Sequence, residues 1–317
     1  MSKKQVWFFG SGQISVPAFE ALVKAHGLLG VVTQPDRRQG RGMQAAPTPI
    51  KLAALSHQLP ILTPNKINDA ALLDQIKASH PELIVVMAYG RILPQALLDI
   101  PSRGVLCVHP SLLPRYRGAA PIPWAILKGD HETGITIFEV DQEIDHGSVV
   151  LQHRLLLMGN ETTPALTEKL GELSASVLLK GIDRYCGSGE MPVPQDESKV
   201  VLAPPFSKAD GWVNWSESAE KIDRHVRAMN PWPGSATSWT GRSVKLIRVA
   251  PEPGEAATPG RPPGAILKSD ENGILIQAGQ GTLRILELQL AGGKTMPAGA
   301  FLRGHPLKAG DCLGSAS

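Results

Sequence analysis

Apolar positions in the first half of the chain fall into short unbroken runs separated by stretches of helical spacing. Gln5–Phe9 (QVWFF), Leu28–Thr33 (LLGVVT), Leu83–Met87 (LIVVM) and Val105–His109 (VLCVH) read as buried strands, and Gly134–Val140 (GITIFEV) alternates as a strand does. Val16–Lys24 and Ala70–Ser79 carry their apolar residues at helical spacing. Strands without a polar face have no solvated side, so this pattern predicts a parallel sheet covered by helices on both faces. Right-handed βαβ connections make a doubly wound α/β sheet the default arrangement.

The pattern changes near residue 190. Met191–Pro205 holds four prolines and little periodicity, which predicts a linker. Ala219–Met229 then reads as one amphipathic helix, followed by short apolar runs at Ser243–Val249, Gly264–Leu267, Gly273–Gln277 and Thr282–Leu290. Gly, Pro, Asn and Asp punctuate those runs, predicting a small β-barrel or β-rich domain, and Glu252–Pro263 reads as a loop. The expected division is a catalytic domain over 1–190, a linker over 191–205 and a second domain over 206–317. A chain of 317 residues suits two domains at about 150 residues each.

Composition narrows the function classes. A hydrophobic content of 42% and a mean hydropathy of −0.05 exclude a wholly disordered chain. No apolar stretch approaches the roughly 20 residues that span a bilayer, and the N-terminus lacks a secretory pattern. Cys107, Cys186 and Cys312 are scattered, forming neither a disulfide framework nor a metal-spaced cluster. A cytoplasmic protein with no membrane partner and no metal is expected. Residues 206–317 carry 13 Lys and Arg against 10 Asp and Glu, whereas residues 1–205 balance at 19 each, so the positive excess lies in the C-terminal third. Thr33–Lys51 is a second basic segment, with Arg37, Arg38, Arg41 and Lys51 against Asp36. Either ordinary solvated surface or a polyanion-binding face accounts for such patches.

Two stretches carry candidate chemistry. Gly10-Ser11-Gly12 follows a strand, but Ser15 stands where a dinucleotide fingerprint places its third glycine, so a tight turn is the simpler reading. In Val105–Ile122 (VLCVHPSLLPRYRGAAPI) a strand ends at His109, the end at which open α/β sheets bind ligands. A histidine there serves as general base or oxyanion stabiliser, or as a strand-end cap with one structural hydrogen bond. Asp141–Gly147 (DQEIDHG) supplies Asp141, Glu143, Asp145 and His146 in one loop, either as a solvated turn or as the carboxylate partner of His109.

SLLPRYRGAAPI resembles the signature loop of the folate-dependent formyltransferases, whose preceding strand reads N-x-H and whose downstream loop reads D-x-G. This chain has His109 and then Asp145-His146-Gly147 at the matching positions. Ala88–Ile100 (AYGRILPQALLDI) is similar to the family segment that helps form the folate pocket. TQPDRRQGRG, PTPIK and the block Phe206–Gly234 resemble the members that formylate a charged tRNA. The likeness runs from about residue 5 to 304. It implies a Rossmann-like domain with a mostly parallel sheet, followed by an OB-like β-barrel that holds tRNA. It further implies 10-formyltetrahydrofolate as formyl donor and methionine-charged initiator tRNA as acceptor. Folate contacts are implied for Tyr89, Gly90, Ile92, Leu93, Ser111, Leu112, Leu113, Pro114 and Gly118. Contacts to tRNA are expected from Arg37, Arg38 and Arg41, and from Lys208, Lys221, Arg224, Arg227, Lys245 and Arg248. A monomer suffices, since one chain would hold both surfaces.

In the implied reaction the amine attacks the formyl carbon and charge gathers on oxygen. His109, supported by Asp145, would donate to that oxygen, a contact worth roughly 3–4 kcal/mol in comparable sites. Asp145, through a water, would take the ammonium proton. One position departs from the pattern: Cys107 stands where the family has the asparagine that donates to the formyl oxygen. A thiol is a weaker donor than an amide, so a loss on the order of 10²–10³ in the transfer step is expected. Three accounts stay open: an impaired enzyme, an active one in which water or a backbone N–H replaces the amide, and a thiol nucleophile paired with His109. An amino-sugar-nucleotide formyltransferase and a catalytically silent tRNA- or folate-binding homologue are the alternatives. The basic loop Arg37–Arg41 speaks against the first, and only Cys107 favours the second.

Overall fold

The computed structural model describes residues 3–39, 44–187, 189–253 and 260–314. Contacts divide them into two units, one formed by 1–121, 132–157 and 166–204, the other by 122–131, 158–165 and 205–317. Among the described residues no helix is long and apolar enough to cross a membrane.

In chain order the first half contains β1 (Gln5–Gly10), α1 (Val16–Ala25), β2 (Gly27–Val32), the hairpin strands β3 (Arg37–Gln39) and β4 (Gln44–Ala46), α2 (Pro49–Ser56), β5 (Ile61–Leu62) and α3 (Ala70–Ala78). There follow β6 (Leu83–Met87), α4 (Gln95–Leu98), β7 (Val105–His109), β8 (Arg115–Arg117), α5 (Pro121–Lys128), β9 (Glu132–Glu139), β10 (Val149–Leu156), α6 (Thr163–Gly187) and β11 (Val201–Leu202). Seven strands form one sheet in the order β10-β9-β7-β6-β1-β2-β5. The β7-β6-β1-β2-β5 part is parallel, while β9 runs antiparallel to both β7 and β10. Val6, Trp7, Phe8 and Phe9 are all buried, as a strand covered on both faces requires. Trp7 and Phe9 pack with Ile84, Val86, Leu97 and Val105 on one face. Side-chain oxygens cap two of the helices: Lys51 N donates to Thr48 Oγ1 (3.1 Å) and Ala71 N to Asp69 Oδ1 (3.0 Å).

The long helix α6 went unread in the sequence pattern. Its Gly171 lies against Ile14, and a Cβ at Gly181 would stand 3.0 Å from Ile137 Cγ1, so the glycines allow the helix to approach closely. The proline-rich stretch 191–205 is fastened to the first unit. Val193 bridges to Val149, and Val201 and Leu202 pair with Arg115 and Arg117.

The C-terminal unit adds α7 (Ala219–Met229), β12 (Ser235–Trp239), β13 (Arg242–Pro251), β14 (Ile266–Asp270), β15 (Gly273–Gln277), β16 (Thr282–Leu290), β17 (Met296–Pro297) and α8 (Ala298–Leu302). Its sheet is antiparallel in the order β12-β13-β16-β15-β14, with β17 beside β16. The last described residues bridge the two edges. Ser238 and Gly314 exchange both backbone hydrogen bonds at 2.8 Å, while Leu313 N donates to Gly264 O (2.9 Å) and Cys312 bridges to Ala265. Leu313 is buried in the same core as Trp215, Val244 and Phe301. Leu313→Ala is therefore expected to cost about 2–5 kcal/mol, read by chemical unfolding. A change below about 0.5 kcal/mol, the scale of an ordinary surface substitution, contradicts this closure.

Candidate functional site

The site lies in the first unit, around the end of β7. Residues two apart share a strand face, so Cys107 and His109 project to the same side. His109 is buried. Its Nε2 lies 2.9 Å from the Tyr116 carbonyl oxygen, which can only accept, so Nε2 carries a proton. Its Nδ1 faces Asp145 Oδ2 at 3.6 Å, a separation longer than a direct hydrogen bond. The chain thus brings His109 and Asp145 together although 36 residues separate them in sequence.

Asp145 is held by its surroundings. Its Oδ2 accepts from Gly118 N at 2.8 Å, and its φ of +52° lies in the left-handed region that L side chains resist. Gly118 has a φ of +123°, and a Cβ there would stand 2.8 Å from Ala203 O, so only glycine fits this donor position. A Cβ at Gly147 would run into the Glu139 carbonyl oxygen, which keeps the turn tight behind Asp145. Gln195 donates through Nε2 to Asp145 O (2.9 Å) and Gly147 O (2.8 Å), and its Oε1 accepts from Arg117 Nε (3.0 Å) and Nη2 (2.9 Å). Arg117 also grips Glu197 Oε1 and Oε2 at 2.6 and 3.1 Å, holding that carboxyl below its usual range. His146 donates to Asp141 Oδ2 (2.6 Å), and that bond raises the imidazole pKa.

Cys107 pairs in register with Val86 on β6 and Phe138 on β9. Burial pushes its thiol pKa well up, and the nearby Asp145 charge adds to the shift. Such a thiol stays neutral, which opposes its use as a nucleophile.

The remaining expected residues divide. Tyr89 and Gly90 line a cavity of about 350 Å³ with Ser11, Gly12, Gln34 and Thr48. Gln34 Nε2 donates to Tyr89 O (3.0 Å). A second cavity, of about 530 Å³, is bounded by Leu98, Val105, Glu139, Val140, Asp141 and Gly147. Ser111 and Leu113 are buried and serve as loop scaffolding: Thr136 Oγ1 donates to Ser111 O (2.6 Å) and accepts from Leu113 N (3.1 Å). Leu112 and Pro114 flank them half-buried. Ile92 is exposed and Leu93 belongs to the core.

Arg37 and Arg38 lie on β3, and Arg41 falls outside the described residues. Lys208 and Lys245 are exposed, with no ion pair for either among the described residues. Arg227 is taken up by Asp223 Oδ2 and Glu161 O, both at 2.8 Å, and Arg224 packs beside Gly129 with Nε buried. Lys221 and Arg248 pair with Glu217 and Glu287. Nothing in the sequence pattern marks a role for Gln195, Arg117 or Thr136. Arg117 lies inside the SLLPRYRGAAPI loop, whereas Gln195 sits in a stretch whose composition signals only a linker.

Residues 4–182 match the formyl transferase family, and residues 205–306 match that family's C-terminal domain. The chain is 40% identical, over 99% of its length and 98% of the other's, to a methionyl-tRNA formyltransferase of Citrifermentans bemidjiense. It is 41% identical to one of Dechloromonas aromatica, over 96% of this chain and 97% of that protein. HypX from Aquifex aeolicus in complex with tetrahydrofolic acid shares the fold, with a TM-score of 0.66 at 18% identity, covering 98% of this chain and 51% of that one. A strand-end histidine facing a carboxylate, on a sheet and second domain that both match, identifies this chain as a member of the formyl transferase family.

Proposed function

We propose that this chain transfers the formyl group of 10-formyltetrahydrofolate to the α-amine of methionyl-initiator tRNA, in the cytoplasm and as a monomer. The observation that carries the reading is the likeness to methionyl-tRNA formyltransferases across both domains. With Nε2 committed to the Tyr116 carbonyl, Nδ1 is the ring atom of His109 left to serve the oxygen on which charge develops. Asp145 faces His109 Nδ1 and accepts the proton that leaves the attacking amine, and the folate nitrogen takes up that proton as its bond to the formyl carbon breaks. Gly118 N keeps the Asp145 carboxylate turned toward the ring.

The two cavities differ in charge, and that difference supports a division of substrates between them. The larger has Leu98, Val105 and Val140 as an apolar wall and Asp99, Glu139 and Asp141 as acceptors. A flat pterin ring with several N–H donors suits it, and a polyanion does not. The smaller cavity has no carboxylate among its lining residues and includes Ala46 of the hairpin that carries Arg37 and Arg38. An RNA terminus suits that side, which moves Tyr89 and Gly90 from the folate to the tRNA, while the larger cavity is lined by none of the residues expected at the folate. Of the C-terminal cations expected at the tRNA, Lys208 and Lys245 are exposed and neither is committed to an ion pair among the described residues, which leaves both available to phosphates. One chain builds both cavities, so a monomer suffices.

The test is formylation of methionine-charged initiator tRNA with 10-formyltetrahydrofolate across a salt series. Transfer is expected, with the KM for tRNA rising steeply with salt while the KM for folate stays nearly constant. Transfer to an amino-sugar nucleotide with none to tRNA overturns the acceptor assignment. Binding of both substrates without turnover points instead to a silent homologue.

A further inference from the structure

We propose that Gln195 is a positioning residue for the transfer reaction, holding the turn that carries Asp145 from the chain segment between the two family domains. The proposal rests on the functional reading above for its chemistry and on the hydrogen bonds of the turn for its geometry. The family's two matched stretches end at residue 182 and resume at residue 205, so neither covers Gln195.

A single side-chain amide makes four hydrogen bonds here. Its Nε2 reaches two carbonyl oxygens, those of Asp145 at 2.9 Å and Gly147 at 2.8 Å, and so closes the turn from outside. Its Oε1 accepts from two nitrogens of Arg117, at 3.0 and 2.9 Å, which fixes which end of the amide faces the turn. Arg117 is buried and is fixed in turn by Glu197. Arg117 precedes Gly118, whose N–H holds the Asp145 carboxylate. The backbone carbonyl of Asp145 and its carboxylate are thus held from two sides by groups that Arg117 connects. External support is what a residue with a φ of +52° needs to keep its conformation. The Nδ1–Oδ2 separation of 3.6 Å between His109 and Asp145 depends on where that turn sits. Misplacement by about 1 Å at a reacting group can cost on the order of 10²-fold in rate.

Only glutamine among residues of this length both donates twice and accepts. Gln195→Glu keeps the length and the Arg117 contact, removes both donations and sets a carboxylate against two carbonyl oxygens. Gln195→Leu removes all four bonds without adding charge. For both variants kcat is expected to fall by about 10–100-fold, with KM for folate and for tRNA within about twofold of the parent. Amide hydrogen exchange over residues 141–148 is expected to accelerate by about tenfold or more, while β6 and β7 keep the protection of the parent. A merely structural role predicts the reverse, with exchange faster throughout the sheet and kcat per folded molecule unchanged.

Unchanged exchange at 141–148 in both variants overturns the proposal, and so does accelerated exchange with kcat within twofold of the parent. Should the parent transfer no formyl group to any acceptor, the functional reading fails, and the exchange measurement alone decides whether Gln195 holds the turn.

Discussion

Cys107→Asn is expected to raise the single-turnover rate of formyl transfer by about 10²–10³-fold, the size of one oxyanion donor gained. Position 107 shares a strand face with His109, so an amide there points to the same side as the imidazole. The present thiol is neutral, because burial and the Asp145 charge both oppose its ionisation. A neutral S–H is a weak donor, whereas an amide N–H is a strong one. Parent and variant would receive 10-formyltetrahydrofolate and methionine-charged initiator tRNA, and affinities for both substrates should agree within about twofold, since only the transition-state contact differs. Equal rates would mean that a water or a backbone N–H already serves the formyl oxygen. A slower variant would mean that the thiol takes part in the reaction, against the pKa direction.

Asp145→Asn is expected to lower the same rate by about 10²–10⁴-fold, the range for removing a general acid–base group. The substitution is nearly isosteric, and the amide oxygen still accepts from Gly118 N, so the turn keeps its left-handed residue. What disappears is the negative charge that faces His109 Nδ1 at 3.6 Å and the capacity to accept a proton. Folate affinity and thermal stability should change little, because the Gln195 and Gly118 contacts involve backbone groups or an oxygen that remains. A rate within threefold of the parent would show that another group removes the ammonium proton.

The strands at the centre of the first unit were legible because burial on both faces leaves an unmistakable local record. Leu83–Met87 and Val105–His109 are observed with the predicted bounds, as are Ala219–Met229, Gly273–Gln277 and Thr282–Leu290. β10 and α6 were not legible. The first is an edge strand whose solvated half carries Gln152, His153 and Arg154, and the second is a helix interrupted by Gly171 and Gly181. Their apolar pattern is weak because partners elsewhere in the chain, such as Ile14 and Ile137, complete their packing.

By itself the sequence determined the alternation of strands and helices, the strand-end histidine, the acidic loop and, through SLLPRYRGAAPI, the likeness to formyltransferases. Each of those is a property of neighbouring residues, so short-range spacing records it. Tertiary structure alone decided that Asp145 faces His109, that Gly118 donates to its carboxylate and that Gln195 closes the turn behind it. It also decided that Arg227 is committed to Asp223 and Glu161, and that the last residues join the two edges of the C-terminal sheet. Those contacts link residues 4 to 76 positions apart. Apart from the Arg227–Asp223 pair, they form only when the chain closes on itself, and no local periodicity encodes which distant group will be the partner.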